Sequence, residues 1–74
     1  MPKLPELPAR RVLRALQRAR FNEVRRKGSH RFLAHADGRV LLFAHHESER
    51  LGPKILAKIL RVAGLKPEEL RTLL

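Results

Sequence analysis

The stretch Asn22-Glu-Val-Arg-Arg-Lys-Gly-Ser-His-Arg-Phe-Leu-Ala-His-Ala-Asp-Gly-Arg-Val-Leu-Leu-Phe-Ala-His45 decides the fold. Two turn signals divide it. Gly28-Ser29 marks one chain reversal, and Asp37-Gly38 marks a second with strong hairpin character. Three short strands result, over residues 22–27, 30–36 and 39–45. Short turns between consecutive strands make an antiparallel meander. In the third strand both Val40/Leu42 and Leu41/Phe43 are apolar, so alternation alone does not say which pair is buried. One pair is left facing outward, free for a partner.

Helices flank the meander. Residues 1–7 hold two of the five prolines and read as an extended lead-in. Pro8 can open a helix in which Val12, Leu13, Leu16 and Ala19 share one side, while Arg10, Arg11, Arg14 and Arg18 take the other. Residues 46–51 read as a polar loop. Gly52-Pro53 then opens a second helix with Ile55, Leu56, Ile59, Leu60 and Ala63 as its apolar side, and Gly64 suits its end. A short third helix begins at Pro67, with Glu68 and Glu69 in its first turn and Leu65, Leu70, Leu73 and Leu74 to pack it down. The order α-β-β-β-α-α predicts an α+β fold, with helices on one face of a three-stranded antiparallel sheet. That is the layout of the double-stranded RNA-binding domain. Residues 1–74 leave room for one such domain.

Charge bounds the function. Seventeen Lys and Arg against seven Asp and Glu give a net charge of +10. Such an excess on a small body implies a polyanionic or acidic partner, and arginine forks suit phosphate. There are no cysteines, which excludes disulfides and cysteine-based zinc sites. The acids are scattered rather than grouped as a two-metal site requires, so no metal and no cofactor is expected. No apolar run approaches a membrane span and no signal-peptide pattern opens the chain, which points to a cytoplasmic protein.

His30 is not needed by a turn. It has Arg25, Arg26, Lys27 and Arg31 around it in sequence. RNA can be cleaved without metal if a base takes the 2′-OH proton, cations stabilise the phosphorane, and the leaving oxygen regains a proton. A histidine suits either proton role. Ser29 reads as a turn residue or phosphate donor. His45 and His46 face opposite ways in an extended chain, so at most one can join His30. His35, just before the second turn, is expected to be exposed. With no Trp or Tyr and only three Phe, a stacking platform for bases is poorly supplied.

Residues 4–70, and above all Arg25, Gly28-Ser29-His30, Asp37-Gly38 and the helix end Ile59, Leu60, Ala63, Gly64, Leu65, resemble the HicA (YcfA-like) toxins of HicA–HicB toxin–antitoxin pairs. The departures are Arg20 in place of a glycine before Phe21, Ala44 in place of a proline, and Lys54-Ile55 in place of Gly-Thr. The resemblance implies an mRNA interferase on a double-stranded-RNA-binding-like fold. His30 would be its catalytic histidine, presented by Gly28 and Ser29, and His46 a second proton carrier or phosphate contact. Arg10, Arg11, Arg14, Arg18, Arg25, Arg26, Lys27 and Arg31 would bind mRNA, and an acidic HicB-like antitoxin would cover the site. Left open beside this are a non-catalytic RNA-binding module on the same fold and a protein-binding domain with a basic face.

Overall fold

Strand register organises the molecule, and a computed structural model describes residues 4–74. Strands β2 (Phe21–Lys27), β3 (His30–His35) and β4 (Val40–Phe43) form an antiparallel sheet in the order β2-β3-β4. Phe21 opposes His35, Glu23 opposes Leu33, and Leu33 opposes Leu41. Directly opposed side chains share a face. One face therefore carries Phe21, Leu33, Leu41 and Phe43, all buried. The other carries Phe32, Val40 and Leu42, all exposed. The ambiguity in the third strand thus resolves with Leu41 and Phe43 inward. A register shift between Glu23 and Arg25 leaves Val24 as an extra residue in β2.

Helix α1 (Ala9–Arg18) and helix α2 (Pro53–Ala63) cover the inward face, and α3 (Pro67–Leu73) packs beside them. From α1, Val12, Leu13 and Leu16 are buried; from α2, Leu56, Ile59, Leu60 and Ala63; from α3, Leu70. Ile55 departs from the expected core and is 39% exposed. It belongs to the first turn of α2 and lines an open groove with Leu41, Leu42 and Ala44.

The expected lead-in and polar loop are corrected in one respect. Residues 1–3 lie outside the described residues. Leu7–Pro8 forms β1 and pairs with β5, Arg50–Leu51, in a two-stranded antiparallel ribbon. Leu7 and Leu51 are both buried, which is why these two-residue segments pair at all. The same loop feeds the start of α1: Ala9 N–H donates to the Glu49 carbonyl at 2.7 Å and Arg10 N–H to the Glu47 carbonyl at 3.0 Å. Pro8 offers no side-chain cap, so loop carbonyls satisfy these orphan donors instead.

Two features close the helix ends. Arg39 donates from its Nη1 to the Ala63 carbonyl at the end of α2, ion-pairs through Nε with Asp37 at 2.9 Å, and lies 5.3 Å from the Phe21 ring centre. One side chain thereby ties the β3–β4 turn, the core aromatic and the helix terminus. At the end of α1, Arg20 has φ +76°, the one non-glycine residue with positive φ among those described. A side chain there crowds the backbone.

Arg20→Gly is expected to stabilise the protein by about 0.5–1 kcal/mol, the relief of left-handed strain net of glycine's greater unfolded-state freedom. Urea denaturation of the two proteins checks it. Acid titration tests the Arg39 clamp. The Arg39 backbone N–H bond to Asp37, joined by the Arg39 guanidinium, holds the Asp37 carboxyl below its ordinary value. A lowered carboxyl contributes stability above its unfolded pKa, about 3.9, and loses it as pH falls through the lower folded value. Asp37→Asn should flatten that part of the stability curve, with the curves of the two proteins converging in stronger acid.

Candidate active site on the open sheet face

The β2–β3 hairpin presents His30. Lys27 and His30 are its last opposed pair, and Gly28 and Ser29 are the two turn residues. Gly28 has φ +59° while Ser29 does not share a positive φ. This is the pattern of a II′ turn, whose first central position favours glycine and whose twist matches that of the strands. Arg26 Nε donates to the Gly28 carbonyl at 3.2 Å and fastens the turn. His30 is thereby held at the mouth of β3, exposed and without a side-chain hydrogen bond among the described residues.

Strand parity puts His30 on the same face as Phe32, away from the helices. Lys27 stands opposite His30 and Arg25 opposite Phe32. The Arg25 guanidinium lies 5.8 Å from the Phe32 ring centre. The open face thus carries, in two successive rungs, a cation beside a ring.

Arg31 does not join Arg25 and Lys27 on the open face. It points to the helix side, with its side chain 11% exposed, and its Nη1 lies 2.9 Å from Glu23 Oε1. Its Nη2 lies 3.8 Å from Glu47 Oε1, and its Nε is buried without a partner among the described residues. Arg31 therefore ties β3 to β2 and to the loop that carries His46. Sequence reasoning misses this tether because Glu47 is far along the chain.

The other histidines separate in the same way. His45 lies on the inner side, its Nδ1 2.7 Å from Glu49 Oε2 and its ring edge-on to Phe43 at 5.4 Å. His46 is left exposed in the loop that follows β4. His35 is not exposed as expected. It is half-buried edge-on to Phe21 at 5.3 Å, and its Nδ1 accepts the Asp37 backbone N–H at 3.1 Å.

The arginines of α1 are not gathered with His30. Arg11, Arg14 and Arg18 line a small cavity of about 170 Å³ with Leu74, in the helix layer. Arg18 also donates to the Leu73 carbonyl at 2.8 Å, and Arg10 is exposed at the start of the same helix. Among the described residues, no three His, Cys, Asp or Glu side chains form a group able to hold a metal ion, and no helix is long and apolar enough to cross a membrane.

Replacing Arg31 by Met keeps its bulk and removes the tether. The expected cost is about 1–2 kcal/mol, between the worth of an exposed and of a buried ion pair. A double-mutant cycle with Glu23→Gln should return a coupling energy, whereas Arg31 with Glu68→Gln should be additive.

No curated protein matches the chain. A family model described as the HicA toxin of bacterial toxin–antitoxin systems matches residues 9–65, from the first residue of α1 to just past the end of α2. That match covers the whole sheet and the Gly28-Ser29-His30 turn. The α+β arrangement is the double-stranded-RNA-binding-like fold of this family. The chain belongs to the HicA toxin family.

Proposed function

We propose that this protein is an endoribonuclease that cuts mRNA without a metal ion, with His30 as its catalytic base. The observation that carries this reading is an exposed histidine with no side-chain bond, held by a fastened turn beside an unpaired Lys27. Family membership supports it.

In this mechanism His30 accepts the proton of a 2′-OH. The freed oxygen attacks the adjacent phosphorus, and the bond to the 5′-oxygen breaks. Lys27 and Arg25 stabilise the charge that builds on the phosphorane oxygens. The departing oxygen takes a proton from His46, on the loop that Arg31 ties to β3, or from water. The products are a 2′,3′-cyclic phosphate and a 5′-hydroxyl. Gly28 and Ser29 keep the base in position, and an arginine-rich body draws in the polyanion. Such an activity is toxic in the cytoplasm, so an acidic HicB-like antitoxin is its natural counterpart, opposing a charge of +10.

Purified protein should cleave a long mRNA in EDTA, and His30→Ala should slow cleavage by about 10²–10⁴-fold at matched RNA binding. If neither protein cleaves while both bind RNA, the chain is a non-catalytic RNA-binding module and the enzymatic reading fails. Cyclic-phosphate ends on the fragments would identify the 2′-OH as the nucleophile.

A further inference from the structure

We infer that Phe32 and Arg25 form a base-stacking subsite for a single-stranded nucleotide next to the phosphate served by His30. This rests on the endoribonuclease reading for its location, but not for its test.

The sequence supplies few aromatics, and the core takes two of the three. Phe21 and Phe43 are fully buried, whereas Phe32 is 39% exposed. It lies in a groove of about 490 Å³ with Val24, Arg25, Val40 and Leu42. An apolar groove alone names no occupant. Charge and spacing do.

Among the described residues, no acidic side chain stands on this face. Glu23 faces the helices, and Asp37 is held by Arg39 in the far turn. The cations run along β2, at Arg25 and Lys27, and the rings run along β3, at Phe32 and His30. Each cation is directly opposite its ring. A polynucleotide has the same double periodicity, with a charged phosphate track beside a row of flat bases. Same-face neighbours in a strand are about 6.6 Å apart, within the reach of one extended nucleotide. A backbone laid along β2 therefore puts one base over Phe32 while the neighbouring phosphate meets His30 and Lys27.

Stacking asks for an unpaired base, since duplex RNA keeps its base faces covered. The subsite thus selects single strands, and because every base has a π face it does so with little sequence preference. Leu42, opposite Phe32, and Val40, two residues before it on β4, extend the apolar surface beside the ring.

The test uses a single-stranded 2′-O-methyl oligonucleotide, which lacks the attacking hydroxyl and so remains intact. It carries 2-aminopurine, whose fluorescence is quenched by stacking. Wild type should quench the probe. Phe32→Leu, which keeps an apolar side chain at an exposed position, should weaken binding roughly 5- to 100-fold and lose the quenching. Phe32→Tyr should restore both. The Phe32→Leu loss should be the same at every salt concentration, whereas Arg25→Gln should reduce the slope of affinity against salt.

Wild-type affinity in Phe32→Leu would overturn the proposal. So would tighter binding of a duplex of the same length. A concentration-dependent dimer that Phe32→Leu abolishes would instead give the face to a second copy of the chain. None of these outcomes depends on cleavage, so an inactive but binding protein would overturn the enzymatic reading and leave the subsite standing.

Discussion

The molecule has helices enough to cover one face of its sheet, and strand parity in β3 divides its residues accordingly. Arg31, Leu33 and His35 turn toward the helices, while His30 and Phe32 turn to solvent. A slip of one residue would exchange the two sets. It would bury His30 and Phe32 and expel Leu33 from a core that includes Phe21, Leu41 and Phe43. The same apolar contacts that hold the sheet to the helices therefore fix the direction in which the histidine points. The two-residue Gly28-Ser29 turn adds a second constraint, because a hairpin's register follows from its loop length.

Electrostatics follow a similar division. The chain has seven acids, and six of them have internal tasks. Glu23 and Glu47 meet Arg31, Asp37 meets Arg39, Glu49 meets His45, and Glu6 meets Arg50. Glu69 accepts the Lys66 backbone N–H at the start of α3. The cations these acids touch are structural, and those they leave stay available to a polyanion. Arg25 and Lys27 on the open face have no carboxylate partner among the described residues, nor do Arg10, Arg11 and Arg14 on α1. Local pairing, rather than net charge, separates an arginine that holds the fold from one that can meet RNA.

How much of this was legible in the sequence depended on the range of each interaction. Turn chemistry is local, so both hairpins could be read from Gly28-Ser29 and Asp37-Gly38, and the helices from their periodicity. The inward pair of β4 could not be read, because Val40/Leu42 and Leu41/Phe43 are equally apolar and the choice depends on α2, which packs on β4. The β1–β5 ribbon was invisible for a different reason: two residues have no periodicity, and Leu51 owes its burial to Leu7, a distant residue. Arg31 and Arg39 were hidden by the same distance. In sequence Arg31 is one more cation beside His30 and Arg39 one more residue after a turn, yet each joins segments far apart in the chain. Of the candidate site, the position of His30 followed from its turn, but its company did not. The face it shares with Phe32 and Arg25 is a product of register.

The two basic surfaces are consequently unequal. The molecule measures 34 × 27 × 17 Å along its principal axes. At 0.1 M salt an exposed charge is screened over about 10 Å, and at 0.01 M over about 30 Å. With RNA on the open face, as proposed, arginines in the helix layer would act on it mainly when salt is low. There they raise the encounter rate without touching the bound strand. At higher ionic strength their field no longer crosses the molecule, and on the proposed reading retention of RNA would fall to the cations and the ring that stand beside His30 on the sheet itself. On that reading the α1 arginines would not substitute for Arg25 and Lys27, however large their share of the net charge.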